Sequence, residues 1–145
     1  MKKILLINGV NLNRLGKREP HIYGTTTLAE LEERLIKHGE QAGIEVVAFH
    51  SNFEGEIVER LHLAEDEGME GIIFNPGAFT HYSYAIADAA AGINVPIVEV
   101  HISNIHKREA FRHHSVIAPH AAGQLCGFGL YGYKMALDFL ANREG

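Results

Sequence analysis

The sequence predicts a flavodoxin-like three-layer α/β/α sandwich with a five-stranded parallel sheet, and three observations carry that expectation. Short apolar runs rich in Ile and Val alternate with longer stretches of helical periodicity. The alternation runs the length of the chain. At 145 residues the chain has the size of one ordinary domain, so residues 1–145 are expected to form a single domain around one core. Alternation of this kind implies right-handed crossovers, which make the sheet parallel and cover both its faces.

Each element has its own signal. Residues 3–8, 45–49, 71–75 and 97–101 read as buried strands, being apolar and bounded by polar or glycine punctuation; 115–118 is a weaker fifth. Over 27–42, Leu28, Leu31, Leu35 and Ile36 recur at helical spacing, Thr27 and Glu30 form a capping box, and Gly43 ends the helix. Further helices are predicted over 55–67, 82–91 and 131–142. The opening Met1-Lys2-Lys3 before Ile4 to Ile7 mimics a signal peptide, but the apolar run stops at Asn8 and fits a strand better. No stretch reaches the ~20 apolar residues of a membrane span.

Composition narrows the partners. A formal net charge of -5 argues against nucleic acid, which leaves a small molecule as the expected ligand. Cys126 is the single cysteine, so no internal disulfide can form and a cytoplasmic location is expected.

In doubly wound folds ligands bind beyond the carboxyl ends of the strands, so the residues after each strand are the candidates. The first strand is followed by a connection from Asn8 to Gly24, far longer than the two to six residues usual between a strand and a helix. Its asparagines, Arg14, Arg18 and Tyr23 fit an active-site lid that grips an anion; a merely solvated loop is the plainer reading. After the third strand come Asn75, Pro76, Gly77 and His81. The fourth ends with Glu99 and His101, whose period-two spacing puts both on one strand face, where a carboxylate can orient an imidazole. Ile102, Ser103 and Asn104 follow, then a predicted helix carrying Arg108, Arg112, His113 and His114.

Other chemistries leave weaker marks. The chain has 10 histidines, yet no HExxH pair occurs and His101 and His106 fall on different elements, so no metal site is expected. Residues 127–132, GFGLYG, match the dinucleotide fingerprint, but only one helix follows them; the glycines fit close packing of that helix. A flavodoxin-like module holding FMN or a nucleotide stays open as an alternative, although no GxxxxGK phosphate loop is present.

Four stretches are more specific: NLNRLGKREPHIYG, SNFEGE, FNPGAFTHYS and VEVHISNIHKREAFRHHS. Together they resemble the type II 3-dehydroquinate dehydratases, and the likeness runs from Ile4 to Leu140. Val10 stands where that family usually has proline, and Phe53 where it commonly has histidine. The resemblance implies a cofactor-free hydro-lyase of the shikimate pathway that converts 3-dehydroquinate to 3-dehydroshikimate by anti elimination through an enolate. It implies Tyr23 as base, His101 as acid, Arg18 as the transition-state cation, Asn13 as the group holding the water or enolate oxygen, and Glu99 as the residue orienting His101. Substrate contacts carry over to Asn75, His81, Ser103, the Ile102 backbone and Arg112. Asp88 is expected to reach a neighbouring subunit within a dodecamer built from trimers. The chemistry is physically reasonable: lowering a tyrosine from a reference pKa of about 10 to near neutrality needs roughly 3–4 kcal/mol. A guanidinium at ~4 Å supplies about that much at an effective dielectric near 20.

Overall fold

The structure is a computed structural model that describes residues 1–17 and 19–143, the side chains of Ile22 and Tyr23 excepted. Strand β1 (Lys2–Asn8) leads into the long connection, which holds a 3-10 turn (Leu12–Arg14) and a single helical turn, α1 (Pro20–Tyr23). Then follow α2 (Leu28–Gln41), β2 (Ile44–His50), α3 (Glu54–Asp66), β3 (Gly71–Asn75), a 3-10 helix (Gly77–His81) and α4 (Tyr84–Ala91). The chain closes with β4 (Ile97–His101), three short 3-10 turns, β5 (Gly123–Cys126) and α5 (Tyr131–Asn142). All strand pairings are parallel, in the order β2-β1-β3-β4-β5. This is the flavodoxin-like architecture expected from the alternation.

Alternating side chains divide the core between the two faces of the sheet. Leu5, Ile7, Ile72 and Phe74 pack beneath α3 and α4 with Ile57, Leu61 and Ile86. Ile4, Leu6, Ile73, Val98 and Val100 pack beneath α2 and α5 with Leu31, Leu35, Tyr133 and Leu137. Each residue of β1 and β3 from Ile4 to Ile7 and from Ile72 to Phe74 is fully buried, as parallel strands covered on both faces require. Because the chain moves outward from β1 to β2 and then returns across β1 to β3, the connections after β1 and β3 diverge, and the crevice between them is the ligand position of such folds.

Thr27 Oγ1 accepts from the Glu30 N–H, and the Glu30 carboxylate accepts from the Thr27 N–H, so the capping box forms as expected. Two elements differ from the sequence expectation, the fifth strand and the arginine helix, both in the last third of the chain. Residues 115–118 are not a strand: the Ser115 hydroxyl accepts from the N–H groups of Ile117 and Ala118, which turns the backbone, while Val116 and Ile117 still bury their side chains under α4. The fifth strand is Gly123–Cys126, a partly exposed edge with too few apolar residues to announce itself. The predicted arginine helix is instead two 3-10 turns, Ile105–Lys107 and Ala110–Arg112, separated by extended backbone at Arg108 and Glu109. The glycine-rich 127–132 stretch serves packing: a Cβ at Gly127 would stand 2.9 Å from the Asn104 Cβ, and one at Gly132 would stand 3.3 Å from Val100 Cγ1.

One helix residue gives a prediction of sign. Gly39 lies inside α2, where alanine is favoured over glycine by about 1 kcal/mol on propensity alone. Here a Cβ would meet Val46 Cγ2 at 2.7 Å and the Ile44 carbonyl oxygen at 3.1 Å. Overpacking of this kind costs roughly 1–3 kcal/mol, and β-branched valine has little room to turn. Gly39→Ala is therefore expected to lower the urea midpoint; a raised midpoint would show that packing does not dominate.

Candidate active site

The carboxyl ends of β1, β3 and β4 open into a cavity of ≈ 240 Å³. Asn75, His81, His101, Ile102, Ser103 and Arg112 all contribute to its wall, so six of the residues that the resemblance assigns to the site converge there. The wall also takes in Arg14 from the long connection and Arg108 from the 3-10 region. Three arginines around one small cavity suit a ligand with a carboxylate.

Behind His101 stands Glu99, which is fully buried. Its Oε2 lies 2.5 Å from His101 Nε2 and accepts from Thr80 Oγ1 at 2.5 Å, while Ser115 Oγ lies 2.9 Å from both carboxylate oxygens. Burial pushes this carboxyl up, but the hydrogen bond and charge of His101, with the Thr80 and Ser115 hydroxyls, outweigh it and hold Glu99 below its ordinary value. An ionised Glu99 holds the His101 ring in one orientation through this hydrogen bond. Thr80 and Ser115 carried no role in the sequence reading. The signal was indirect: a buried carboxylate must have donors, but only the fold says which residues supply them.

His81 sits 6.5 Å from His101 in a stacked arrangement, and its Nδ1 lies 2.8 Å from the His114 carbonyl oxygen. A carbonyl only accepts, so Nδ1 carries the hydrogen and Nε2 is left as an acceptor. Burial, with the charges of His101 and Arg112, lowers the His81 pKa despite the raising effects of the His114 bond and Glu99, and keeps the ring neutral near pH 7. Arg112 donates from Nε to Glu109 at 3.0 Å and lies over the Phe111 ring at 4.6 Å, which sets the plane of its guanidinium. Cys126 pairs in register with His101, but burial and the Glu99 charge push its thiol up to about 11, so it is no nucleophile at neutral pH.

Beneath the cavity floor, Tyr133 on α5 joins two strand ends. Its hydroxyl donates to Asn8 Oδ1 at 2.6 Å and accepts from Asn75 Nδ2 at 2.8 Å, and Asn75 Oδ1 accepts from the Gly77 N–H at 3.0 Å. The main chains also touch there: the Gly9 N–H donates to the Asn75 carbonyl at 2.7 Å, and a Cβ at Gly9 would stand 2.4 Å from the Pro76 oxygen. Only glycine allows that approach.

The first part of the long connection, from Val10 to Leu15, contributes to the cavity wall. Leu15 is buried against the α2 side of the core, and Asn11, in the left-handed region at φ 69°, donates its N–H to Asn52 Oδ1 at 2.8 Å. Asn13 is exposed on the turn between Leu12 and Arg14, which both line the cavity. Arg18 and the side chain of Tyr23 lie outside the described residues. Asp88 is exposed on α4 and takes no part in the cavity wall. Among the described residues no three His, Cys, Asp or Glu side chains converge to hold a metal ion, and no helix is long and apolar enough to cross a membrane.

The model of the family described as dehydroquinase class II matches residues 2–141. A 3-dehydroquinate dehydratase of Bacillus mycoides (strain KBAB4) is 63% identical over 143 residues, covering 99% of this chain and 97% of its own length. The crystal structure of the type II dehydroquinase from Propionibacterium acnes superposes with a TM-score of 0.96 at 47% identity, over 99% of this chain and 98% of that one. The type II dehydroquinase from Butyrivibrio crossotus DSM 2876 gives 0.94 at 48% identity, over 96% and 97%.

The Glu99 environment makes a testable statement about acid stability. A carboxyl whose folded pKa lies below its unfolded one adds stability that is complete above the unfolded value and is lost as pH falls through the folded one. Glu99→Gln removes that linkage and turns an NH2 group toward donors, at a cost of roughly 1–3 kcal/mol. The expected result is a lower Tm at neutral pH and a shallower decline of Tm through the acidic carboxylate range than in the unaltered protein. Parallel Tm profiles would count against the assignment.

Proposed function

This chain belongs to the class II dehydroquinase family, and from that premise we propose that it removes water from 3-dehydroquinate by anti elimination, as a hydro-lyase of the shikimate pathway. The observation that carries the proposal is the buried Glu99 carboxylate holding His101 at the edge of a cavity ringed by Arg14, Arg108 and Arg112. An FMN or nucleotide module, the alternative reading, has no support in the family match, which spans nearly the whole chain.

In the reaction, Tyr23 as phenolate takes the proton beside the substrate ketone, and the resulting enolate is met by Asn13 directly or through a water. Arg18 favours the phenolate and the charge that develops in the transition state. His101, with Nε2 committed to Glu99, delivers a proton from Nδ1 to the departing hydroxyl, and the enolate electrons expel water. The arginines suit the substrate carboxylate. Asn75, His81, Ser103, the Ile102 backbone and Arg112 hold the ring in place, with His81 Nε2 accepting from a hydroxyl. No cofactor or metal enters this route.

Asp88 is assigned to the site of an adjacent subunit in a dodecamer built from trimers. Exposed aromatic side chains at Phe53, Tyr82 and Tyr84, near the starts of α3 and α4, support a subunit contact on that side. A cytoplasmic location fits the single cysteine.

Dehydroquinate added to the purified protein should give the enone absorbance of dehydroshikimate, and activity should persist in EDTA and after borohydride with substrate present. Irreversible loss to borohydride would mean a lysine imine instead. His101→Ala should lower kcat by about 10²–10⁴-fold with little change in KM, and Tyr23→Phe should abolish turnover without unfolding the chain; near-normal kcat in Tyr23→Phe would remove tyrosine as the base. Sedimentation should give a multiple of the trimer, and a fully active monomer would reject the intersubunit role of Asp88.

A further inference from the structure

Among the described residues, the chain of hydrogen bonds beneath the cavity has a fixed direction. A main-chain N–H can only donate, so the Gly77 N–H determines that the oxygen of the Asn75 amide faces it and the nitrogen faces Tyr133. The Tyr133 oxygen therefore accepts from Asn75, and its own proton goes to Asn8 Oδ1. Reversing any one amide would set a donor against a donor somewhere along the line. All three side chains are almost fully closed to solvent: Asn8 and Tyr133 are 0% exposed and Asn75 3%. Burial pushes the Tyr133 hydroxyl well above the ordinary tyrosine range, so it stays protonated and its polarity does not change with pH. Asn8 Nδ2 has no partner, so the line ends there and has no second anchor on β1.

The Asn75 amide has two N–H groups, of which Tyr133 takes one. We infer that Tyr133 is a positioning residue for substrate: its hydroxyl holds the Asn75 amide so that the remaining Nδ2–H faces the cavity as a fixed donor to a substrate oxygen. This deepens the proposed function and rests on its assignment of Asn75 to substrate binding. Without the hydroxyl, the Gly77 bond alone would restrain Asn75, and the amide could rotate away. A donor that needs no reordering when substrate arrives strengthens binding, and the effect belongs to ground-state and transition-state binding alike.

The test is Tyr133→Phe, which keeps the buried ring, compared with Asn75→Ala and the double variant in steady-state kinetics on dehydroquinate. Tyr133→Phe should raise KM by about three- to tenfold with kcat within about twofold. In the Asn75→Ala background the same substitution should leave KM unmoved, because residues acting through one another do not add. An equal rise in both backgrounds, or no rise when Tyr133→Phe is made in the otherwise unaltered protein, overturns the inference while leaving Asn75 in the site. Asn75→Ala with an unaltered KM would instead overturn the binding assignment itself, and the inference with it. Asn8→Ala reads the same line from its other end. It should shift KM in the same direction and lose that effect in Asn75→Ala, which a general loss of stability would not do.

Discussion

The Glu99 carboxylate has no contact with solvent, and a charge in that position must be fully hydrogen-bonded or it is strongly destabilising. Its partners come from three places in the chain: His101 from the same strand, Thr80 from the 3-10 helix after β3, and Ser115 from the turn before β5. Satisfying one buried charge thus ties together the loops that form one side of the cavity. The main chain reinforces this, since the Val116 N–H donates to the Thr80 carbonyl at 2.8 Å. Ser115 does two things with one hydroxyl, donating to Glu99 and accepting from Ile117 and Ala118. The turn that broke the expected fifth strand is therefore the same feature that completes the carboxylate's shell.

Across the crevice the constraint is neutral. Asn8 and Asn75 end adjacent parallel strands and pair in register, so their side chains emerge on the same face, toward α5. Tyr133 reaches both from that helix. The floor of the cavity is thus fixed by neutral hydrogen bonds on the β1–β3 side and by the buried Glu99 carboxylate and its partners on the β4 side.

In the long connection Leu15 is buried, and Asn52 holds the N–H of Asn11. Asn11 and Glu19, both at positive φ, are the only non-glycine residues in that conformation among the described residues. Such backbone costs about 1–3 kcal/mol per residue and occurs where geometry serves function.

What the sequence determined by itself was the fold class and, through the strand ends, several of the residues that line the cavity. Period-two and helical patterns, with the Thr27–Glu30 capping box, are local signals, and they placed β1 to β4 and the main helices within a few residues. Glu99 and His101 were legible together for the same reason: alternation on a strand is fixed by the backbone. The tertiary structure decided what depends on partners distant in sequence. Gly123–Cys126 is a strand because β4 offers it an edge, not because of its own composition. Thr80, Ser115, Tyr133 and Asn8 acquired roles only when the sheet order brought them beside Glu99 and Asn75, since a hydroxyl or amide in a sequence carries no mark of the group it will meet. Arg108 and Arg112 line the cavity without forming a helix, because extended backbone at Arg108 and Glu109 interrupts the two turns. Local periodicity is written in the chain; the pairing of buried polar groups is written only in the packing.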